Sequence, residues 1–293
     1  MTKTAFYIVA GHAFSLTLPD SPKLWGALEQ YAPFEVPGPV EPLFGVEMVE
    51  ALPEGETETV YDVPTEDGET VVKLFSQGKD WLLEMAPDHR LPTSAKMLAT
   101  PDFKTGRIAL QTRRVSDAVF GINNALMLLY AFNTAALGTL EMHASMVSNS
   151  GKAYLFLAKS GTGKSTHSSL WLKHIPGTEL MNDDNPIVRV LEDGSVVAYG
   201  SPWSGKTPCY RNVQAPVGAF VRIRRCAENK ITPLSILEAY ACLYSSSSGY
   251  KADRTFADGL HATMEKIVTT VPCYVLDCRP DEEAAQVCAS AVR

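Results

Sequence analysis

Apolar and polar residues alternate in short segments through the first hundred positions, and this pattern predicts a β-rich N-terminal half. The polar sequence Glu66-Asp67-Gly68-Glu69 predicts a hairpin turn. We therefore expect a β-rich domain over residues 1–115, with an exposed strand edge as a possible acceptor or partner surface. The segments with strand character, bounded by Gly, Pro and Asp, are 6–9, 14–18, 70–74 and 81–85.

An uncharged run over residues 118–140 predicts a buried helix at 116–139. Polar residues interrupt this run, and its continuous apolar part extends only from Ala125 to Phe132. A membrane-spanning helix needs about 20 mostly apolar residues, so we expect a core helix and no membrane contact. The helix could belong to either side of a domain boundary that we place near residue 115.

From His143 onward strands and helices alternate, which predicts an α/β domain over residues 116–293. Asp193-Gly194 between two apolar segments predicts a hairpin. Strands are expected at 143–147, 153–158, 179–182, 187–191, 195–199, 217–223 and 273–277. Helices are expected at 164–174, 233–246, 253–270 and 280–292.

Charge is distributed unevenly along the 293 residues, whose net charge is −7. Residues 1–120 contain 18 acidic and 10 basic side chains, whereas the remainder contains 15 acidic and 16 basic ones. The second part therefore suits a polyanionic nucleotide, but it is too weakly basic to indicate nucleic acid. The six cysteines lack metal-site spacing, and no signal peptide precedes them, so we expect reduced thiols and a cytoplasmic protein.

Residues 158–166 read Ala-Lys-Ser-Gly-Thr-Gly-Lys-Ser-Thr and follow an apolar strand-like run. A strand, a glycine loop and a helix in this order predict a phosphate-binding loop of the Walker A type. Lys164 can reach the β- and γ-phosphates, and the Ser165 hydroxyl can ligate Mg²⁺. The alternative is a Ser/Gly-rich turn that begins an ordinary helix. The residues expected to bind nucleotide are Ser160, Gly161, Thr162, Gly163, Lys164, Ser165 and Thr166.

Ala158 departs from the usual motif, which begins with glycine. Because alanine has a steric penalty at positive φ that glycine lacks, we expect a negative φ at Ala158. The loop should then bend mainly at Gly161 and Gly163.

Asp183 and Asp184 follow a predicted strand and form a second candidate element of the site. Ligands of open α/β sheets bind beyond the carboxyl ends of strands, so this pair and the loop can meet. One carboxylate can hold Mg²⁺ while the other accepts a proton from an attacking hydroxyl. The alternative is a pair of turn aspartates that ends the strand.

His143, Lys206 and Arg211 are weaker candidates. His143 begins a strand, where a hydrogen-bonded, half-buried histidine is an equal alternative. Lys206 and Arg211 lie in a Gly-, Ser- and Pro-rich loop, where positive charges can stabilise a transferring phosphoryl group but are also common on surfaces.

The order of these motifs resembles the catalytic domain of the HPr kinase/phosphorylase family, whose core is similar to that of ATP-dependent phosphoenolpyruvate carboxykinase. The resemblance rests on His143-Ala-Ser-Met-Val, the phosphate loop, Leu180-Met-Asn-Asp183-Asp184 and the run from Gly200 to Arg211. It covers about residues 140–293.

The resemblance implies a role for each matching residue. Lys164 would bind phosphate, Ser165 and Asp184 would hold Mg²⁺, and Asp183 would be the general base. His143 would lie close to the transferred phosphate. Lys206 and Arg211 would stabilise developing charge.

Together the motifs and the resemblance predict a bacterial ATP- and Mg²⁺-dependent kinase that phosphorylates a hydroxyl. The acceptor would be a serine of a protein or peptide, or a small molecule, and the resemblance is compatible with a homo-oligomer. The alternative is a nucleotide-binding regulatory or scaffold protein with little catalysis.

Overall fold

Two β-sheets, each with nine strands, organise the residues that the computed structural model describes, namely 1–65, 68–205, 207–249, 251 and 253–293. One sheet belongs to a compact unit over Met1–Asn133 and the other to a unit over Thr134–Arg293. This arrangement confirms a mixed α/β protein with a β-rich N-terminal part. The predicted turn at 66–69 includes Glu66 and Asp67, which lie outside the described residues.

The first unit contains β1 (Thr2–Val9), β2 (His12–Pro19), α1 (Pro22–Gly26), a 3₁₀ helix (Glu29–Phe34), β3 (Glu35–Val36), β4 (Phe44–Met48), β5 (Glu58–Tyr61), β6 (Val71–Gln77), β7 (Asp80–Ala86), β8 (Ala95–Ala99), β9 (Thr105–Leu110) and α2 (Val115–Thr134). Its strands are ordered β3-β1-β2-β4-β9-β8-β7-β6-β5. The pairs β2–β4 and β4–β9 are parallel, and the other neighbouring pairs are antiparallel. The four strands expected here are confirmed as parts of β1, β2, β6 and β7.

Helix α2 is long and apolar enough to span a membrane by length and composition alone. Its side chains instead pack within the first unit, as a core helix requires. The Tyr130 hydroxyl donates to the Val9 carbonyl at 3.0 Å, and the Tyr31 hydroxyl donates to the Asn123 side chain at 2.7 Å. These contacts move the boundary between the units from the predicted position near residue 115 to the end of α2.

Gly121 allows α2 to approach the sheet closely, because a Cβ there would lie 2.5 Å from the Ala95 Cβ. We expect Gly121→Ala to lower the free energy of unfolding by about 1–3 kcal/mol through this clash. Gly26, at the end of α1, is the matched control, since a Cβ there would meet nothing within 4 Å. Gly26→Ala should leave stability equal or slightly higher. Urea unfolding of both variants measures the difference, and equal effects would contradict the close packing of α2.

The second unit contains a 3₁₀ helix (Ala135–Leu137), β10 (Thr139–Glu141), β11 (Ala144–Asn149), β12 (Lys152–Leu157), α3 (Lys164–His174), β13 (Glu179–Asp184), β14 (Ile187–Val190), β15 (Val196–Tyr199), β16 (Gln214–Arg225), β17 (Lys230–Pro233), α4 (Ile236–Ser246), α5 (Arg254–Thr270), β18 (Cys273–Cys278) and α6 (Glu282–Val292). Its strands are ordered β10-β14-β15-β16-β12-β11-β13, with β18 also beside β16 and β17 beside β18. All the strands and helices expected here are present, and β10 and β17 are additional.

Helices cover both faces of this second sheet. One buried cluster includes Leu243 of α4 and Met264 of α5. The other includes Trp171 of α3 and Cys288 of α6. The sheet therefore forms the middle layer of an α/β/α sandwich. Ligands of such sheets bind at the strand ends, which the helices on the two faces do not cover.

Candidate active site

The register of three neighbouring strands brings the predicted motifs to one edge of the second sheet. Ala144, the first residue of β11, pairs with Leu157 at the end of β12 and with Asp184 at the end of β13. The phosphate loop follows Leu157, and His143 precedes Ala144. This pairing confirms the expectation that the loop and the aspartate pair meet.

The loop between β12 and α3 bends at its two glycines. Gly161 has a φ of 71° and Gly163 a φ of 127°, whereas Ala158 is not among the described residues with positive φ. The prediction for Ala158 is therefore confirmed. Helix α3 begins at Lys164 without a side-chain cap, which leaves its first N–H groups available to an anion.

Arg225, the last residue of β16, binds two backbone carbonyls of this loop. Its guanidinium donates from Nε to the Thr162 carbonyl at 2.9 Å and from Nη2 to the Gly161 carbonyl. Because a trans peptide directs its C=O and N–H in opposite directions, the Gly163 N–H points away from Arg225. Arg225 thus holds the loop in a conformation in which the Gly163 N–H points to the opposite side. Arg225 was not identified from the sequence as part of the site.

Lys164, His143 and Asp184 form one polar cluster. The His143 Nε2 lies 2.8 Å from the Lys164 Nζ and 3.1 Å from the Asp184 Oδ1. The Lys164 ammonium also approaches the Ala158 carbonyl at 3.4 Å. The structure therefore brings together three of the side chains that the sequence predicted to act together.

Burial and mutual charge shift the acidities of this cluster. Burial lowers the pKa of Lys164, and the carboxylates of Asp184 and Asp183 offset part of that change. Burial alone would raise the pKa of Asp184, but the hydrogen bond and charge of His143 and the charge of Lys164 outweigh it, so the pKa is lowered. Asp184 is thus held as a carboxylate, the form that binds a metal ion.

The side chain of Asp183 has no hydrogen-bond partner in the described part of this edge. Its side chain is 2% exposed, and neither carboxylate oxygen has a hydrogen-bond partner among the described residues. Its backbone carbonyl, by contrast, accepts from the Gly205 N–H at 2.6 Å and from the Ser204 hydroxyl at 2.9 Å. A buried carboxylate without partners is costly, so its retention beside a phosphate loop favours a chemical role.

Asp184 has an unusual backbone, because its φ of 117° lies in a region that non-glycine residues avoid. It bridges to Ser204, and a Cβ at Gly205 would lie 2.9 Å from the Asp184 Cβ. The segment after β15 therefore presses directly on the aspartate pair and holds it in this conformation. Lys206 follows that segment and lies outside the described residues.

Arg211 lies away from this cluster. Its guanidinium donates to the Leu180 carbonyl at 2.6 Å and pairs with Glu179 at 2.9 Å, near the start of β13. Leu180 and Asp183 are about 10 Å apart along the strand. The charge-stabilising role predicted for Arg211 therefore has no support in this placement.

Ser165 and Asp184, the residues expected to bind Mg²⁺, can form a metal site only together with a nucleotide. No group of three or more His, Cys, Asp or Glu side chains within the described residues could hold a metal ion by itself. Ser165 is exposed at the start of α3, and Asp184 is half-buried at the end of β13. Mg²⁺ usually combines one or two protein ligands with substrate phosphates and water, so this sparse set fits it.

Sequence reasoning missed two buried titratable side chains of this unit. Glu141, at the end of β10, is fully buried, and neither of its carboxylate oxygens has a partner among the described residues. His167, on α3, is 2% exposed, and its Nδ1 also has no partner there. A charged residue within an apolar run and a histidine directly after the loop were the available signals.

Comparison with known proteins adds little to this geometry. No protein-family model matches the chain, and no curated protein matches it. Among solved structures, the chain is similar to the Hpr(Ser) kinase/phosphatase from Coxiella burnetii. The two share 11% sequence identity with a TM-score of 0.32, over 52% of this chain and 95% of the other. A likeness this distant establishes neither a family nor a common fold, so the resemblance and the cytoplasmic location stay predictions.

Proposed function

We propose that this protein is an ATP-dependent phosphotransferase that moves the γ-phosphate to a hydroxyl group. The observation that carries the proposal is the buried, unpartnered carboxylate of Asp183 at the sheet edge from which the phosphate loop emerges. A protein that only binds nucleotide has no use for such a carboxylate, whereas phosphoryl transfer to an alcohol needs a proton acceptor.

In the proposed reaction Asp183 accepts the proton of the acceptor hydroxyl. The hydroxyl oxygen forms a bond to the γ-phosphorus, and the bond between that phosphorus and the β–γ bridging oxygen breaks. The products are the phosphorylated acceptor and ADP, and the proton stays on the Asp183 carboxyl. The bonds and protons of this step balance with the nucleotide, the acceptor and the carboxylate alone.

Lys164 binds the β- and γ-phosphates in this proposal, which draws its ammonium away from His143. His143 then keeps its contact to Asp184 at 3.1 Å and holds that carboxylate in place. Ser165 and Asp184 would hold Mg²⁺, which neutralises charge on the phosphates when bound. The loop amides held by Arg225 supply further positive potential.

The acceptor is assigned by class only, as a hydroxyl of a protein, a peptide or a small molecule. Transfer of label from [γ-³²P]ATP with Mg²⁺ to serine-bearing peptides and hydroxyl metabolites tests the proposal. We expect labelled product from the wild-type protein, and Lys164→Met should lower the affinity for Mg·ATP about tenfold or more, because it removes a charged phosphate contact. ATP binding without transfer to any acceptor or to water would instead favour a regulatory nucleotide-binding protein.

A further inference from the structure

The last strand of the first sheet, β5, has a free edge. It ends the strand order and pairs with β6 alone among the described residues. All four of its residues are exposed. The outward N–H and C=O groups of such an edge can pair with a strand from another chain. The edge of β5 is therefore a place where an extended peptide can continue the sheet.

Apolar side chains are concentrated beside this edge. Val60, Tyr61, Val63 and Leu91 are between 40% and 53% exposed. Val63 and Leu91 also line a cavity of about 530 Å³, whose wall includes Asp62, the residue directly after β5. A volume of this size lies in the range of ligand pockets. A peptide that follows the edge can therefore bury an apolar side chain of its own where β5 ends.

The chain that leads into β5 is acidic. Residues 41–69 contain ten Asp or Glu side chains and no Lys or Arg. Glu54, Glu56 and Glu58 are exposed, and none of them forms an ion pair with a described residue. Their spacing of two is the repeat of an extended chain, in which every second side chain lies on the same face. These carboxylates are available to a partner.

This charge pattern selects the occupant of the edge. A second copy of the chain would bring the same carboxylates opposite one another, and the phosphates of nucleic acid or lipid would also be repelled. Lys or Arg at every second position of an added strand would instead lie opposite the carboxylates. The segment ahead of β5 is held beside the sheet, because the Gln77 side chain donates to the Pro53 carbonyl at 2.9 Å.

We propose that the free edge of β5 binds an extended peptide with Lys or Arg at alternate positions and an apolar side chain that enters the adjoining cavity. The bound chain carries the hydroxyl that receives the phosphate, so the acceptor is a peptide or a protein and not a small molecule. This last point rests on the proposed function, whereas the binding itself does not.

A fluorescent peptide tests the binding without nucleotide. Its sequence is Lys-Thr-Lys-Thr-Lys-Thr-Leu-Ser, and fluorescence anisotropy measures the dissociation constant. We expect saturable binding that weakens as the NaCl concentration rises. A peptide with Glu in place of each Lys should bind about tenfold more weakly or not at all, because like charges then lie opposite one another. Equal affinity for the two peptides, or no binding of either, would overturn the proposal.

Methylation of the peptide backbone distinguishes strand addition from attraction by charge alone. Only alternate residues of a strand direct their backbone N–H toward a given neighbour. We therefore compare two forms of the lysine peptide, methylated at either the odd-numbered or the even-numbered amide nitrogens. One form should lose binding and the other should keep it. Equal affinities of the two forms would refute strand addition.

Matched double variants test the carboxylates of the protein. Glu56→Gln with Glu58→Gln should weaken binding of the lysine peptide about threefold to tenfold, because it removes two exposed charge pairs. Glu192→Gln with Glu228→Gln makes the same change of net charge at exposed positions of the second unit and should leave the affinity unchanged. An equal effect of the two double variants would mean that net charge attracts the peptide and that the edge does not.

A second pair of variants tests the cavity. Leu91→Ser should weaken binding about threefold or more, because it removes part of the apolar wall. Leu237→Ser, at an exposed apolar position of α4, should leave the affinity unchanged. Equal effects would refute the entry of an apolar side chain into this cavity.

The binding and transfer measurements separate this inference from the proposed function. A protein that phosphorylates a small-molecule hydroxyl and does not bind the lysine peptide would refute the docking edge and leave the phosphotransferase intact. A protein that binds the peptide as expected and transfers phosphate to no acceptor would support the docking edge and refute the proposed function. Sedimentation that gives a dimer which the peptide dissociates would assign the edge to a second copy and overturn the proposal.

Discussion

Asp183→Asn is expected to lower the rate of phosphoryl transfer by about 10²–10⁴, because it removes the proposed proton acceptor and keeps the size of the side chain. The affinity for Mg·ATP should remain close to that of the wild-type protein, since neither Asp183 oxygen bonds any part of the phosphate loop. Single-turnover transfer of ³²P measures the rate, and calorimetry measures the affinity.

The stability of this variant gives a second signature. The wild-type carboxylate is buried without a partner, so the neutral amide should leave the free energy of unfolding equal or raise it by about 1–3 kcal/mol. If Asp183 served only the structure, Asp183→Asn would lower both the stability and the activity of the protein.

Asp193→Asn is the matched control, because it neutralises an exposed aspartate in the turn between β14 and β15. Its acceptor Oδ1 takes hydrogen bonds from Ser195, which an asparagine carbonyl can also accept. Its transfer rate should equal that of the wild-type protein. An Asp183→Asn variant that transferred phosphate at the wild-type rate would exclude Asp183 as the base.

The wild-type protein is expected to lose up to about 5 kcal/mol of unfolding free energy as pH rises toward 8, and Glu141→Gln is expected to abolish this loss. Burial raises the pKa of Glu141 to about 8, and the charge of Asp184 adds to the effect. Near and below the ordinary pKa of 4.5 the carboxyl is protonated in both the folded and the unfolded chain. As pH rises toward 8, only the unfolded chain ionises, so the wild-type protein loses stability over this interval.

The glutamine variant cannot ionise and should not lose stability in this way. Urea unfolding between pH 5 and pH 9 should therefore give a difference in unfolding free energy, variant minus wild type, that increases with pH and levels off above about 8. Glu265→Gln, at an exposed position of α5, should follow the wild-type curve. Parallel curves for Glu141→Gln and the wild-type protein would mean that the buried carboxyl ionises as freely as an exposed one.

The local sequence pattern was sufficient to predict those helices and strands whose ends are marked by residues within or directly beside them. The range 164–174 predicted for α3 agrees with the structure, because the loop glycines and Lys164 mark the beginning of this helix within the sequence. The strands on either side of Asp193-Gly194 also have their own turn signal. The meeting of loop and aspartates followed from a general rule about sheet edges.

Features that depend on distant pairing were not predictable in this way. The two-residue strand β3 and the three-residue strand β10 are too short to show alternation. The burial of Glu141 depends on the pairing of β10 with β14, and no neighbour in sequence reveals it. Arg211 was assigned to the site because a positive charge on a Gly-, Ser- and Pro-rich loop can stabilise a transferring phosphoryl group and because the resemblance includes this run, but its side chain lies beside the opposite end of β13.

The position of β11 between β12 and β13 has a consequence for folding. Ala144 pairs with the last residue of β12 and with the last residue of β13, so the loop and the aspartates meet only when all three strands are in register. A chain slipped by one residue would turn every side chain of β11 to the other face of the sheet. Nucleotide affinity should therefore be all-or-none across a population of molecules, and bound nucleotide should slow hydrogen exchange of the β11 amides.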